Sequence, residues 1–178
     1  MRLCTAWAAI TSYLGSEADA AYSRALELCR RVENKLYLFT VLWGLHEVAL
    51  YRVEYEESLA LAHQCLEIAT ELGEPGLLLE AHHAAWGSYY FHGDYDKAFE
   101  HMQAGLVIYD RTQHEPLSVH YGVHDAGACA LYESALALWN MGFLDKAHDH
   151  KVRAVALAKE LTLPANIADA YSLSLIHI

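Results

Sequence analysis

The sequence predicts an all-α solenoid of antiparallel helix pairs, about four and a half repeats of ~40 residues, and three observations carry it. A small residue early in the second helix of each pair is followed seven positions later by another small one. This gives Ala18/Ala25, Ser58/Cys65, Ala98/Gly105 and Ala147/Ala154, at steps of 40, 40 and 49 residues. Lys35, Pro75, Pro116 and Pro164 precede successive first helices at nearly the same steps, and proline suits a first turn whose N–H has no partner anyway. The third observation is the stretch Tyr89-Tyr90-Phe91-His92-Gly93-Asp94-Tyr95-Asp96-Lys97-Ala98. It closes one helical pattern, turns at Gly93-Asp94 and opens the next, with bulk at the outer crossing and Ala98 where the helices touch.

Taken in order, residues 3–14 read as the first helix of a pair whose beginning is missing, and 17–32 as its partner, with Ser16 as N-cap. The second pair occupies 36–52 and 55–72, stopped by Gly73 and restarted by Pro75. The third runs 76–92 and 95–109, and the fourth 127–141 and 144–161 across the turn at Gly142. A further first helix begins after Pro164. Each pair is too small to bury its apolar stripe alone, so stacking on neighbours supplies the core. The array is expected to span 1–172 and to be cut inside a repeat at both ends. Residues 173–178, Leu173-Ser174-Leu175-Ile176-His177-Ile178, break the pattern. They read as a non-native tail resembling translated sequencing adapter, or as an ordinary apolar helix end.

Pro116 to Ala147 is eight residues longer than Pro75 to Ala98, which places an insertion within 117–127. Insertions in repeat arrays fall in loops, and loops held on a rigid scaffold carry binding. His120, Tyr121, His124 and Asp125 make this the most chemically loaded loop of the chain. Two readings stand for it: a ligand pocket anchored by His124 and Asp125, or a decorated turn whose polar groups satisfy local backbone.

Composition removes several function classes. The net charge is −11 and there is no basic run, so neither nucleic acid nor an anionic membrane is an expected partner. No apolar run reaches the ~20 residues that span a bilayer. The first ten residues have a short signal-like apolar centre but continue into the repeat pattern, so a cytoplasmic location is expected. Cys4, Cys29, Cys65 and Cys129 lie far apart with no C-x-x-C pair, against a disulfide framework or a zinc site.

Catalytic motifs are absent as a set. No G-x-S-x-G and no phosphate loop occur. His46-Glu47 lacks the second histidine of a zincin because position 50 is Leu50, and Cys129 sits in an apolar helix where a thiol is inert. Of the twelve histidines, only His120 and His124 have one-face helical spacing, and they lie beside glycines. No metal site, no cofactor and no enzymatic activity are expected of this chain. An enzyme would instead show acid and base groups converging in a cleft.

Leu42-Trp43-Gly44-Leu45, Glu71-Leu72-Gly73-Glu74-Pro75, Leu78-Leu79-Glu80-Ala81-His82, Tyr121 to Cys129 and Leu138 to Ala147 together carry a family resemblance. The chain resembles the C-terminal tetratricopeptide-like region of large bacterial signalling proteins. Those carry a class III adenylate/guanylate cyclase or another output domain, then an AAA-type ATPase, then a helical array. Ala126 departs from the proline expected there. The resemblance implies a tetratricopeptide-like fold and a non-catalytic scaffold or sensor role. It implies as partners a protein, a peptide or the attached catalytic domains. It also implies a concave groove lined by first helices, at Trp43, Glu47 and Tyr51, then His83 and Tyr90, then Tyr132, Trp139 and Asn140. An aromatic stripe at this spacing also fits plain core. No lysine-rich clamp for a peptide carboxylate is evident.

Overall fold

The computed structural model describes residues 16–121, 124–161 and 164–176. The helices are α1 (Ser16–Val32), α2 (Lys35–Tyr51), α3 (Tyr55–Leu72), α4 (Pro75–His92), α5 (Tyr95–Ile108), α6 (Arg111–His114), α7 (Ala126–Asn140), α8 (Leu144–Leu161) and α9 (Pro164–Ile176), with a 3-10 turn at Glu115–Val119 after α6. Among the described residues there is no strand, and the chain is a tetratricopeptide-like α-solenoid. The helix expected over 3–14 and the last two residues of the tail lie outside the described residues. The backbone of α9 runs on through residues 173–176.

Local chemistry sets the boundaries. Asn34 and Asp94 accept hydrogen bonds from the Tyr37 and Lys97 N–H groups at the starts of α2 and α5. Gly73 and Gly93 end α3 and α4 in the left-handed region, at φ 68° and 91°. Lys35, Pro75 and Pro164 are first residues of helices, as their spacing predicts. Pro116 is not: it opens the 3-10 turn, and the fourth first helix starts ten residues later at Ala126.

The two helices of a pair bury different amounts. In α4, Leu77, Leu79, Glu80, Ala81 and every residue from His83 to Tyr89 are buried, so this helix is enclosed on nearly all sides. In α3 only Ser58, Ala62, Cys65 and Ala69 are buried, a single stripe at steps of four, three and four. First helices α2, α4, α7 and α9 touch in succession, and α3, α5 and α8 each bridge two of them. The result is an inner layer of first helices backed by an outer layer of second helices, joined through small residues that let the helices approach. Among the described residues no helix is long and apolar enough to cross a membrane.

Of the two non-glycine residues with positive φ among the described residues, Glu33 and Val53, only Val53 is β-branched. Gly93 and Gly142 take positive φ between the helices of their pairs, and Val53 occupies the same left-handed position between α2 and α3 at φ 66°. A β-branched residue there costs on the order of 1–3 kcal/mol. Val53 is 64% exposed and buries little to offset this. Val53→Gly is expected to stabilise the fold by about 1 kcal/mol after the greater chain entropy of unfolded glycine is subtracted. A urea midpoint that falls in Val53→Gly would show that the valine side chain contributes more than its backbone costs.

The segment that leads from α5 towards the insertion is anchored to its neighbours. Asp110 caps α6 by accepting from Thr112 and Gln113, and Arg111 reaches α8 with hydrogen bonds to the Glu160 carboxylate (3.0 Å) and carbonyl (3.1 Å). The Tyr109 hydroxyl donates to Asp125 Oδ2 at 3.0 Å. Its ring lies so close to the first turn of α7 that a Cβ on Gly127 would come within 2.6 Å of it.

Candidate functional site

The inner layer encloses a cavity of about 420 Å³. Helical spacing places its walls: His46, Glu47, Leu50 and Tyr51 on α2; His83, Gly87 and Phe91 on α4; Cys129, Tyr132 and Glu133 on α7. Asp169 of α9, His124 at the end of the insertion, and Val53 and Tyr55 of the strained turn complete it. None of these lining residues is lysine or arginine.

Behind the wall two indoles hold His83 in place. Its ring stacks on Trp86 with centroids 4.7 Å apart and meets the edge of Trp43 at 5.7 Å. His83 Nδ1 is 3.0 Å from Glu80 Oε2, and its Nε2 is 3.1 Å from Nε2 of His124, so one imidazole N–H donates to the other. Nearby, Ser88 Oγ donates to the Ala84 carbonyl, which leaves it to accept from His46 Nε2 at 3.0 Å and from Ser58 Oγ at 2.8 Å. That relay ties α2, α3 and α4 together.

Burial dominates the electrostatics. It pushes Glu47 up to about 7, with Glu80 adding to the rise, and Glu133 up to about 8, with Glu47 adding. Glu80 is raised well above the carboxylate range by burial and then by Asp125. Burial lowers His46 and His83 to about 3, so both stay neutral. The Cys129 thiol is held well above its usual range by burial and by the carboxyl groups of Glu133, Asp169, Glu47 and Glu80. A thiol so placed stays protonated, the reverse of an activated nucleophile.

Of the groove residues expected from the sequence, Glu47, Tyr51, His83 and Tyr132 line this cavity, and His124 of the insertion joins them. Trp43 does not. It is 2% exposed and belongs to the core, donating from Nε1 to the Glu80 carbonyl at 3.1 Å beneath the ring of Tyr121. Tyr121 is likewise core, packed edge-on to Phe39 and Trp43 with its hydroxyl 3.3 Å from Thr40 Oγ1. Asp125 is no ligand anchor: it is buried as the N-cap of α7, accepting from Ala128, while its own N–H donates to Asn166 Oδ1. Tyr90 and Asn140 meet each other away from the cavity, the amide donating to the tyrosine hydroxyl at 3.4 Å. Trp139 is 48% exposed outside it, and His120 packs edge-on to Tyr121.

Sequence reasoning did not find His46, Cys129, Glu133 or Asp169 as lining residues, nor that acids and histidines from four helices converge in one cleft, the feature named above for an enzyme; the one thiol among these lining residues is held protonated rather than activated. The repeat gave no signal for it: His46 lies eleven residues after Lys35 and His83 eight after Pro75, so the two histidines share no repeat position.

No family model matches the chain. An uncharacterized protein of Rhizobium meliloti (strain 1021) is 28% identical over 163 residues, 89% of this chain. The chain spans only 15% of that relative's length. Among solved structures, the apo form of RapI superposes with a TM-score of 0.75 at 16% identity, covering 88% of this chain and 53% of that one. A Rap protein complexed with competence and sporulation factor gives 0.79 at 16% identity, covering 94% and 44%. At that identity the likeness concerns the fold, and the fold it defines is an all-α helical-repeat array of tetratricopeptide type.

Proposed function

We propose that the chain is a non-catalytic interaction module whose concave cavity grips a protein or peptide segment, serving as the regulatory region of a larger bacterial signalling protein in the cytoplasm. The observation that carries this reading is the make-up of the cavity. Tyr51, Val53, Phe91 and Tyr132 offer apolar and aromatic area, Glu47, Glu133 and Asp169 offer acceptors, and no lysine or arginine lines it. Aromatic walls give large contact area at low entropic cost. The acids select a segment that presents a lysine or arginine beside an apolar residue, and they disfavour a terminal carboxylate. Support for a larger parent comes from the family resemblance, with its cyclase and ATPase domains, and from the length of the Rhizobium relative. The Rap complex supplies a precedent for a bound factor on this kind of fold.

Selection of a random peptide library against the chain tests it. Enriched peptides are expected to carry a basic residue next to an aromatic or aliphatic one. Tyr51→Ala and Tyr132→Ala should each weaken them about tenfold or more by fluorescence anisotropy. Trp139→Ala, outside the cavity, should leave affinity unchanged. Enriched peptides that bind both cavity variants as well as the parent would overturn the assignment.

The size of the cavity favours a second reading, since about 420 Å³ lies in the range of small-molecule sites. A metabolite that raises the melting temperature of the parent but not of His124→Ala, with no peptide enriched, would put ligand sensing in place of peptide binding.

A further inference from the structure

We propose that His83, His124 and Cys129 form a zinc site in the wall of the cavity. The three come from α4, the end of the insertion and α7, and their ligand atoms all lie within 4.8 Å of one another. The two Nε2 atoms are 3.1 Å apart. A tetrahedral zinc with bonds of about 2.05 Å to nitrogen has an N···N edge of roughly 3.3 Å, so the imidazoles already stand almost at the spacing the ion requires. The two rings stand edge to face with their Nε2 atoms turned to one another, and the orientation of His83 is fixed from behind. Its Nδ1 faces the Glu80 carboxyl at 3.0 Å, the carboxylate–histidine arrangement that sets the tautomer and raises the basicity of a metal-bound imidazole. Stacking on Trp86 removes the remaining freedom of that ring.

The donor set selects the metal. Two imidazoles and a cysteine that releases its proton when the ion binds suit zinc, and a hard cation such as magnesium would ask for oxygen ligands instead. Glu47, Glu133 and Asp169 are not among the three ligands and remain as the acidic rim that the peptide reading uses, although the zinc site does not rest on that reading. With three protein ligands the fourth tetrahedral position opens to the cavity. Bound zinc would fasten the insertion to α4 and α7 at the place where the fold departs from regular repeats.

Cobalt titration of the full chain, stripped with chelator, tests the site. One equivalent of Co²⁺ is expected to produce a thiolate-to-cobalt charge-transfer band and the visible absorption of a four-coordinate ion, both bleached by Zn²⁺. Cys129→Ser should abolish the charge-transfer band. His124→Ala, which alters a half-buried residue outside the helices, should weaken binding about 100-fold or more, and Glu80→Gln by about 10- to 100-fold at unchanged stoichiometry. No charge-transfer band in the parent would overturn the proposal, as would a band that survives in Cys129→Ser. If Cys129→Ser does not fold by circular dichroism, His124→Ala decides alone, and parental affinity in that variant overturns the site.

Discussion

Trp86→Ala is expected to cost about 4 kcal/mol and to split the unfolding transition of the array. The side chain is fully buried in α4, the most enclosed helix of the structure. It fills the space between α4 and α5 where Gly105 gives it room: a Cβ on that glycine would come within 2.6 Å of Trp86 Cζ3. Removing an indole from such a site loses its transfer free energy and leaves a cavity that small neighbours cannot collapse to fill, a combination typically costing 3–5 kcal/mol. The second part follows from topology. In a solenoid each pair is stabilised by its neighbours, and α4 with α5 links the units before and after it. Weakening that joint lets α1–α3 and α7–α9 unfold at different urea concentrations. Far-UV circular dichroism against urea is therefore expected to turn from one sigmoid into two. A single transition displaced by less than about 1 kcal/mol would show that the joint lies elsewhere. Stacking on Trp86 also orients His83, so cobalt binding should weaken in the same variant.

Helix boundaries were legible in the sequence because short-range chemistry fixes them. The Gly93-Asp94 turn, Pro75 at a first position and the small-residue stripe of α3 each act within a few residues. What the insertion does was not legible, for the same reason inverted. Trp43, Glu47 and Tyr51 share one face of α2 by spacing, yet Trp43 is core and Tyr51 is open to the cavity. The difference is made by Tyr121, which covers the Trp43 end of that face from far along the chain. Asp125 looks like a ligand residue while its loop is imagined as free. Placed one residue before α7 it is a cap, and an aspartate preceding a helical run was the signal for that. Pro116 precedes its first helix by the length of the insertion, and the 3-10 turn that it stands in was not legible because a proline near a first turn suits α-helices and 3-10 turns alike. The meeting of His83 with His124 has no periodic signature, since their positions are related only through the inserted segment.

Glu47→Gln is expected to be more stable than the parent by about 3 kcal/mol at pH 8 and by less than about 1 kcal/mol at pH 5. The folded protein holds the Glu47 proton up to a pKa of about 7, whereas the unfolded chain releases it near the ordinary carboxylate value of 4.5. Between those two values the folded state binds more protons than the unfolded one. Raising the pH through that window therefore lowers stability, and the loss is complete a little above 7. Glutamine carries no titrating proton, so the gap between variant and parent opens through the window and is flat beyond it. The cause is burial first, with Glu47 only 8% exposed, and then the nearby Glu80. Glu133 adds to the gain, because ionised Glu47 raises it in turn. His46, 3.7 Å from the carboxylate, gives no relief, since its own pKa of about 3 keeps it neutral at both pH values. Urea unfolding at pH 5 and pH 8 with chelator present measures the gap. Equal stabilities at both would mean that solvent in the cavity reaches the carboxylate and screens it. A gap confined to high pH would mean that the cavity gains a costly negative charge around pH 7. A bound lysine or arginine would neutralise that charge, so the parent's affinity for a basic peptide should rise across the same interval and that of Glu47→Gln should rise less, through Glu133 alone.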